Sequence, residues 1–160
     1  MPKPRVYIET TIPSFYYDPR LDPEIVERRH WTRLWWDQAV DRYELVTSEV
    51  VLRELAAGTT NIALLRIALV APLLRLEFEP VVGEVVGEYL KHKLMPAVPP
   101  YDAWHLALAS FHCCDFIVTW NCRHLANPNK APHVARINAS LGLYVPRLAT
   151  PRDLLGRKDE

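Results

Sequence analysis

The chain has 160 residues, and its 19 Lys and Arg residues balance 19 Asp and Glu residues, so its formal net charge is zero. A composition of 49% hydrophobic and 24% charged residues is that of a folded domain and excludes a disordered or collagen-like chain. The balanced charge excludes a polybasic tail as the main binding element, although a basic patch beside an acidic cleft would cancel in the total. We expect a single domain over residues 1–160.

The N-terminal segment and the cysteine content favour a cytoplasmic protein. The basic start passes directly into a strand-like run at residues 6–8, with no apolar leader. The longest apolar stretch, residues 62–74, contains Arg66 and is too short to span a bilayer. Three cysteines are an odd number, which fits a reducing compartment better than a disulfide framework. We therefore expect no membrane segment.

Short apolar runs alternate with helical patterns along the chain. The first strand, residues 6–8, ends at Glu9 and passes into a loop before Pro13. Further strands are predicted at residues 44–47, 73–78, 116–120 and 143–145. Helices are predicted at residues 22–41, 62–71, 80–94, 102–113 and 133–141. A further helix should begin after Ser48 as its N-cap and end at Gly58, and a short terminal helix should begin at residue 150. Strands without alternation, separated by helices, indicate an α/β fold with a mostly parallel sheet.

Ligands of such sheets bind beyond the carboxyl ends of the strands, which directs attention to Glu9 and Asn121. Two more acids stand out on helices. Glu49 has Arg53 four residues later, the order of a surface ion pair, whereas Glu54 has only apolar helical neighbours and needs a partner from elsewhere. That partner is either an ordinary cation or a shared site.

Asp102 opens an apolar helix after two prolines, so on its own it suits a helix N-cap as well as a ligand. Together with Glu9 and Glu54 it can converge above one edge of the sheet. Three carboxylates repel one another unless a cation lies between them, and oxygen-only ligation suits Mg²⁺ or Mn²⁺. The residues alone thus indicate a possible acidic metal site in an α/β domain.

Four blocks along residues 6–127 resemble, in order, the motifs of PIN domains: VYIETTIPSFY, SEVVLRELAAG, PPYDAWHLALAS and DFIVTWNCRHLAN. The segment ATPRDLL resembles the usual C-terminal element of that family. The resemblance implies a three-layer α/β/α domain with a mostly parallel sheet of about five strands. It also implies a metal-dependent ribonuclease.

The resemblance implies four catalytic and metal-binding positions, Glu9, Glu54, Asp102 and Asn121. Thr10 and Thr119 would support the site by hydrogen bonding. Glu9 stands where most members have Asp, and Asn121 brings a neutral oxygen where an acid is common. The cluster then carries three negative charges, which suits one Mg²⁺ or Mn²⁺ better than two.

Many family members of this size are VapC-type toxins, which cleave RNA with Mg²⁺-activated water and are inhibited by a small antitoxin. The resemblance therefore implies an RNA substrate, an antitoxin partner and a homodimer. The alternative is a weak or inactive PIN module that binds RNA or a protein partner, as Asn121 suggests. A different metal-dependent phosphoesterase ranks last, because the sequence has no Asp-x-Asp motif. Arg53, Arg123 and His124 are either RNA contacts or ordinary surface residues.

Three other features have competing explanations. Cys113, Cys114 and Cys122 lie near two histidines, but without a C-x₂-C spacing they fit buried apolar positions better than zinc ligands. His105 lies one turn after Asp102 and either steadies that acid or packs in the core. Trp35 and Trp36 point about 100° apart on a helix, so we expect one of them at an interface edge.

Overall fold

The computed structural model describes residues 2–58 and 60–156, and the sheet within them has five strands. The strands are β1 (Arg5–Ile8), β2 (Glu44–Ser48), β3 (Leu74–Leu76), β4 (Phe116–Val118) and β5 (Arg147–Ala149). The order across the sheet is β3-β2-β1-β4-β5, and all four strand pairs are parallel. The predicted α/β class and parallel sheet are confirmed.

Helices connect the strands and cover the sheet. They are α1 (Thr11–Tyr16), α2 (Pro23–Arg42), α3 (Glu49–Ala56), α4 (Asn61–Val70), α5 (Pro80–Lys91), α6 (Tyr101–Phe111), α7 (Ala131–Ser140) and α8 (Pro151–Leu155). Helix α2 packs on β2, and α6 packs on β4. Several helices start where the sequence favours it: proline lies in the first turn of α2 and α5, and Thr150 and Asp153 form a capping box at α8. None of the described helices is long and apolar enough to cross a membrane.

At the centre of the sheet, the order in which the chain adds strands reverses. From β1 the chain runs outward through β2 to β3, and it returns to add β4 and β5 on the other side of β1. Val6, Tyr7 and Ile8 of β1 are fully buried. In open parallel sheets, the crevice at such a reversal is the usual ligand site. Here that crevice lies between the carboxyl ends of β1 and β4.

Two local predictions are wrong. The segment after Glu9 is a helix, α1, and not a loop, because the Glu9 carboxylate accepts the Thr11 N–H and Ile12 is buried. The last strand is residues 147–149 and not 143–145. Pro146 has no N–H to donate, and the bonds to β4 begin at Arg147, whose N–H donates to the Asp115 carbonyl at 2.9 Å.

The prediction for the tryptophans of α2 is also wrong, because both Trp35 and Trp36 are buried. Two different neighbours cover them. The Trp35 ring stacks on Tyr43 with centroids 6.1 Å apart, and the Trp36 ring packs edge-on against Tyr16 with centroids 6.2 Å apart. A helix covered on two sides buries adjacent residues that point about 100° apart.

Candidate active site

Glu9 follows the last residue of β1 and is held at the crevice by hydroxyl and amide donors. Its Oε1 accepts hydrogen bonds from the Thr119 hydroxyl at 2.7 Å and from the Thr11 N–H at 2.9 Å, and also from the Thr11 hydroxyl. Burial raises the pKa of Glu9, although the nearby His105 and these hydrogen bonds act in the opposite direction. The carboxylate is therefore fixed in position by β4 and the start of α1.

Glu54 lies on α3 and has two partners from other elements. The Thr10 hydroxyl donates to its Oε1 at 2.9 Å, and Nε2 of His105 lies 2.5 Å from the same oxygen. The missing partner of this carboxylate is thus a histidine. The expected ion pair between Glu49 and Arg53 is absent, because Glu49 pairs with Arg75 at 3.3 Å.

A buried chain of hydrogen bonds continues from Glu54 under the site. Nδ1 of His105 lies 2.7 Å from the Tyr7 hydroxyl, which lies 2.7 Å from the Ser48 hydroxyl. The His105 ring is fully buried on α6, and burial opposes its protonation. The bond to Glu54 and the charges of the acids outweigh burial, so the pKa of His105 is raised. The imidazole faces Glu9, Glu54 and Asp102 together.

Asp102 and Asn121 meet on the other side of the crevice. The cap of α6 is Pro100 and not Asp102, which lies in the first turn of the helix with no capping bond. Nδ2 of Asn121 donates to Oδ1 of Asp102 at 3.1 Å. Oδ1 of Asn121 accepts the His124 N–H at 3.0 Å, and the Asn121 N–H donates to the Thr119 hydroxyl at 2.9 Å. Asn121 thus presents a donor to the acid, whereas its oxygen was expected to face a metal.

The carboxylates have a donor set that suits a hard cation. Glu9, Glu54 and Asp102 each use one oxygen in the hydrogen bonds above, and within residues 2–58 and 60–156 the other oxygen of each has no hydrogen-bond partner. Over the same residues, no three His, Cys, Asp or Glu side chains are arranged closely enough to hold a metal ion. The donors therefore fit Mg²⁺ or Mn²⁺ held by one or two carboxylates and water, and not an all-protein cage.

The zinc alternative has no support among the described residues, which contain no such three-ligand group. Cys114 is buried as expected. Cys113 and Cys122 are exposed, so the prediction that the cysteines are buried apolar residues holds for one of the three.

The three candidate RNA contacts lie in different surroundings. Arg53 and Arg123 are exposed on α3 and on the loop after β4. His124 is half-buried, with Nδ1 3.1 Å from Nζ of Lys130. Burial, with a further effect of Lys130, lowers the pKa of His124. The two arginines thus offer cations to solvent, and the histidine does so less readily.

Sequence reasoning placed the acids but missed most of the side chains that hold them. Nothing in the sequence assigns Tyr7 or Thr11 to the site, Ser48 is predicted only as a helix cap, and His105 only as a helper of Asp102 or a core residue. Part of the signal was available: His105 lies three residues after Asp102 on a helix, and Glu54 had no local cation. Tyr7 lies inside an apolar strand, where nothing in the sequence distinguishes its hydroxyl from a core ring.

Comparison with known proteins identifies the class of this fold and site. The PIN domain family model matches residues 24–126, which is more than half of the chain, and the chain belongs to the PIN-domain family. The matched segment contains Glu54, Asp102 and Asn121 and begins after Glu9. The solved structure of FitAcB from Neisseria gonorrhoeae is similar in fold, with a TM-score of 0.53 and 14% sequence identity. The alignment covers 92% of this chain and 98% of that one. No curated protein sequence matches the chain.

Proposed function

We propose that this protein is a metal-dependent endoribonuclease that hydrolyses phosphodiester bonds in RNA with Mg²⁺ or Mn²⁺. The observation that carries the proposal is the set of three carboxylates at the sheet crevice. Each is anchored through one oxygen and leaves the other without a hydrogen-bond partner among the described residues. PIN domains are generally nucleases, and oxygen donors of this kind suit these two cations.

Each residue of the site has a distinct task in this proposal. One or two of Glu9, Glu54 and Asp102 would hold the ion together with water, and the ion would supply charge stabilisation at a phosphate and a more acidic water. The other residues act on these acids. Thr119 orients Glu9, and His105 orients Glu54 while offsetting part of the negative charge that gathers at the crevice. Thr10 and Asn121 support Glu54 and Asp102 in the same way.

The biological setting follows from the resemblance to VapC-type toxins. We infer a cytoplasmic single-domain toxin that spans residues 1–160, forms a homodimer and is inhibited by a small antitoxin. A small reading frame beside the gene would support this setting. Copurification of its product with the chain would test it directly.

Asn121 favours a second candidate, a PIN module that binds RNA or a protein without cleaving RNA. Its amide hydrogen bonds to Asp102, and its oxygen accepts the His124 N–H. As placed, Asn121 occupies one Asp102 oxygen, and one lone pair of its own oxygen is taken by the His124 N–H. This candidate predicts RNA binding that is insensitive both to metal and to the substitution Glu54→Gln.

The test of the first candidate is cleavage of single-stranded RNA by the purified chain with Mg²⁺, with Mn²⁺ and with a chelator. We expect cleavage only with metal, and a loss of at least about a hundredfold in Asp102→Asn, since transition-state charge stabilisation of this type is worth that much. Glu84→Gln removes an exposed acid of α5 and serves as the matched control. Cleavage that survives in Asp102→Asn, or that needs no metal, would refute the proposal.

Metal binding has a second readout that does not depend on activity. A ligand that binds only the folded state stabilises it, by about 2.7 kcal/mol at a hundred times its Kd. Mn²⁺ should therefore raise the unfolding midpoint of the wild type and of Glu84→Gln, but not of Asp102→Asn. An equal shift in all three proteins would place the ion elsewhere.

A further inference from the structure

An open cavity of about 510 Å³ lies beside the acids, at the carboxyl ends of β2 and β3. Ser48 and Leu76, the last residues of these strands, form part of its lining. Its size is in the range of about 300–1,000 Å³ that is usual for small-molecule sites. It therefore lies at the ligand-binding edge of the sheet.

The cavity is built from the same two helices as the acid site. Val50 of α3 lines it, and Glu54 lies one turn further on. Trp104 of α6 lines it, and the next residue is His105, which is in contact with Glu54. Ser48 lines the cavity and also ends the buried hydrogen-bond chain from His105. The lining thus includes Arg53, Tyr101 and Trp104, the chain neighbours of Glu54, Asp102 and His105, which connects the cavity to the proposed reaction site.

The lining of the cavity includes aromatic rings and an exposed cation. The Phe78 and Trp104 rings lie 5.4 Å apart at their centroids with a tilt of 37°, and Phe78 is 64% exposed although its ring is apolar. Glu49 at the rim is neutralised by Arg75. The guanidinium of Arg53 has no hydrogen-bond or ion-pair partner within the part of the chain that the structure describes.

We propose that this cavity is a subsite for one unstacked base of a single-stranded RNA, with the adjoining phosphate on Arg53. Proteins recognise single-stranded RNA by stacking splayed bases on aromatic rings and pairing phosphates with cations. Phe78 and Trp104 supply the rings and Arg53 the cation. This subsite rests on the proposed ribonuclease function and adds its choice of substrate: a strand with a base free to leave the stack.

The test uses single-stranded RNA oligonucleotides in which one abasic nucleotide is moved along the strand, with kcat/KM measured in Mn²⁺. For the wild type, we expect one abasic position near the cleaved bond to lower kcat/KM about tenfold to a hundredfold, the usual effect of a lost stacking contact. Phe78→Ala should show a similar loss with intact RNA. The abasic nucleotide should then cause little further loss in this variant, because base and ring act as a pair.

Matched variants separate the subsite from folding and from other partners. Phe78 is exposed, so Phe78→Ala should keep the wild-type unfolding midpoint, and Tyr144→Ala removes an exposed ring beyond the amino end of β5 without affecting cleavage. If Phe78→Ala cleaves intact RNA as the wild type does, the subsite is refuted while the nuclease stands. A change in oligomeric state with unchanged cleavage also refutes it, and assigns the cavity to a second copy. If the wild type neither binds nor cleaves RNA, the proposed function itself fails.

Discussion

A single buried imidazole connects the parts of the candidate site. His105 contacts Glu54 and Tyr7 directly, and its pKa is raised because the neighbouring acids favour the imidazolium despite the cost of burial. A cation among three carboxylates reduces the repulsion that their convergence creates. The acids of the crevice therefore favour a proton on His105, and the charge of His105 in turn opposes the rise in the pKa of Glu9.

The substitution His105→Gln should destabilise the protein by about 2 kcal/mol, because the buried Tyr7 hydroxyl and Glu54 each lose one hydrogen-bond partner and keep only Ser48 and Thr10. The measurement is urea unfolding at neutral pH. His92→Gln is the matched control, since His92 is half exposed and pairs with Glu88 at 3.5 Å on the surface of α5. We expect less than about 0.5 kcal/mol there. Equal losses in both variants would mean that the buried chain of hydrogen bonds adds no stability.

For individual residues, the sequence identifies the charged side chains of the site better than the groups that form hydrogen bonds with them. Glu54 was recognisable as an acid that lacked a local cation, because helical neighbours are fixed by spacing. Its partners Thr10 and His105 are distant in sequence, and only the packing of α3 against α6 and the end of β1 brings them together. Asn121 shows the same limit: its position was predicted, but the direction of its amide depends on Asp102 and His124.

At the scale of the elements, a second polar cluster ties three helices together away from the site. The hydroxyl of Tyr89 on α5 donates to Oδ1 of Asn138 on α7 and lies 3.4 Å from the Ser110 hydroxyl on α6. Nδ2 of Asn138 donates to the Ser110 hydroxyl at 2.9 Å and to the Tyr144 carbonyl at 2.9 Å. The side chains of Tyr89, Ser110 and Asn138 are buried, so each of these hydrogen bonds replaces one that water would otherwise make.

This cluster gives stability a defined pH dependence. Burial raises the pKa of Tyr89 from 10.0 to about 12, despite its hydrogen bonds with Ser110 and Asn138. A raised pKa means that the unfolded chain loses the tyrosine proton at lower pH than the folded chain does. The contribution of Tyr89 to the free energy of unfolding is therefore complete below pH 10 and is lost as the pH rises toward 12. The difference in free energy of unfolding between wild type and Tyr89→Phe should shrink by roughly 1.4 kcal/mol from about pH 9 to about pH 11.

Urea unfolding of the two proteins across that pH range measures the effect. Comparing them removes the contributions of Tyr7 and Cys114, whose pKa values burial also raises. Ser140→Ala lies on α7 outside the cluster and should follow the wild type at every pH. A constant difference between wild type and Tyr89→Phe would show that Tyr89 does not titrate in this way.

The positions of the helices and strands could be predicted from the sequence where local composition decides them. The predictions are wrong where a contact with a distant residue decides the position. Proline starts and apolar spacing located α2, α5 and α6 to within a few residues. The start of α1 depends instead on the Glu9 carboxylate. The position of β5 depends on which residues can pair with β4, and an apolar run four residues earlier was the stronger local signal.

At the scale of the whole molecule, the zero net charge hides an uneven distribution. Three acids gather at the carboxyl edge of the sheet, and the cation of Arg53 lies unpaired among the described residues nearby, while Arg147 lies at the amino end of β5. An even balance in the sequence therefore does not exclude a polyanionic ligand, because the local field and not the sum guides its approach. RNA binding should therefore depend on salt, because each phosphate contact releases counterions.

That dependence can be measured and assigned to individual side chains. Each phosphate contact to a single strand contributes about −0.7 to the slope of log K against log salt concentration, so Arg53→Gln should reduce the slope by about that amount. Binding of a fluorescent single-stranded RNA is measured by anisotropy in an Asp102→Asn background, which prevents cleavage. Arg147→Gln removes an exposed cation at the opposite edge of the sheet and should leave the slope unchanged. Equal reductions in both variants would indicate diffuse attraction by the whole surface, and the RNA path over Arg53 would then be wrong.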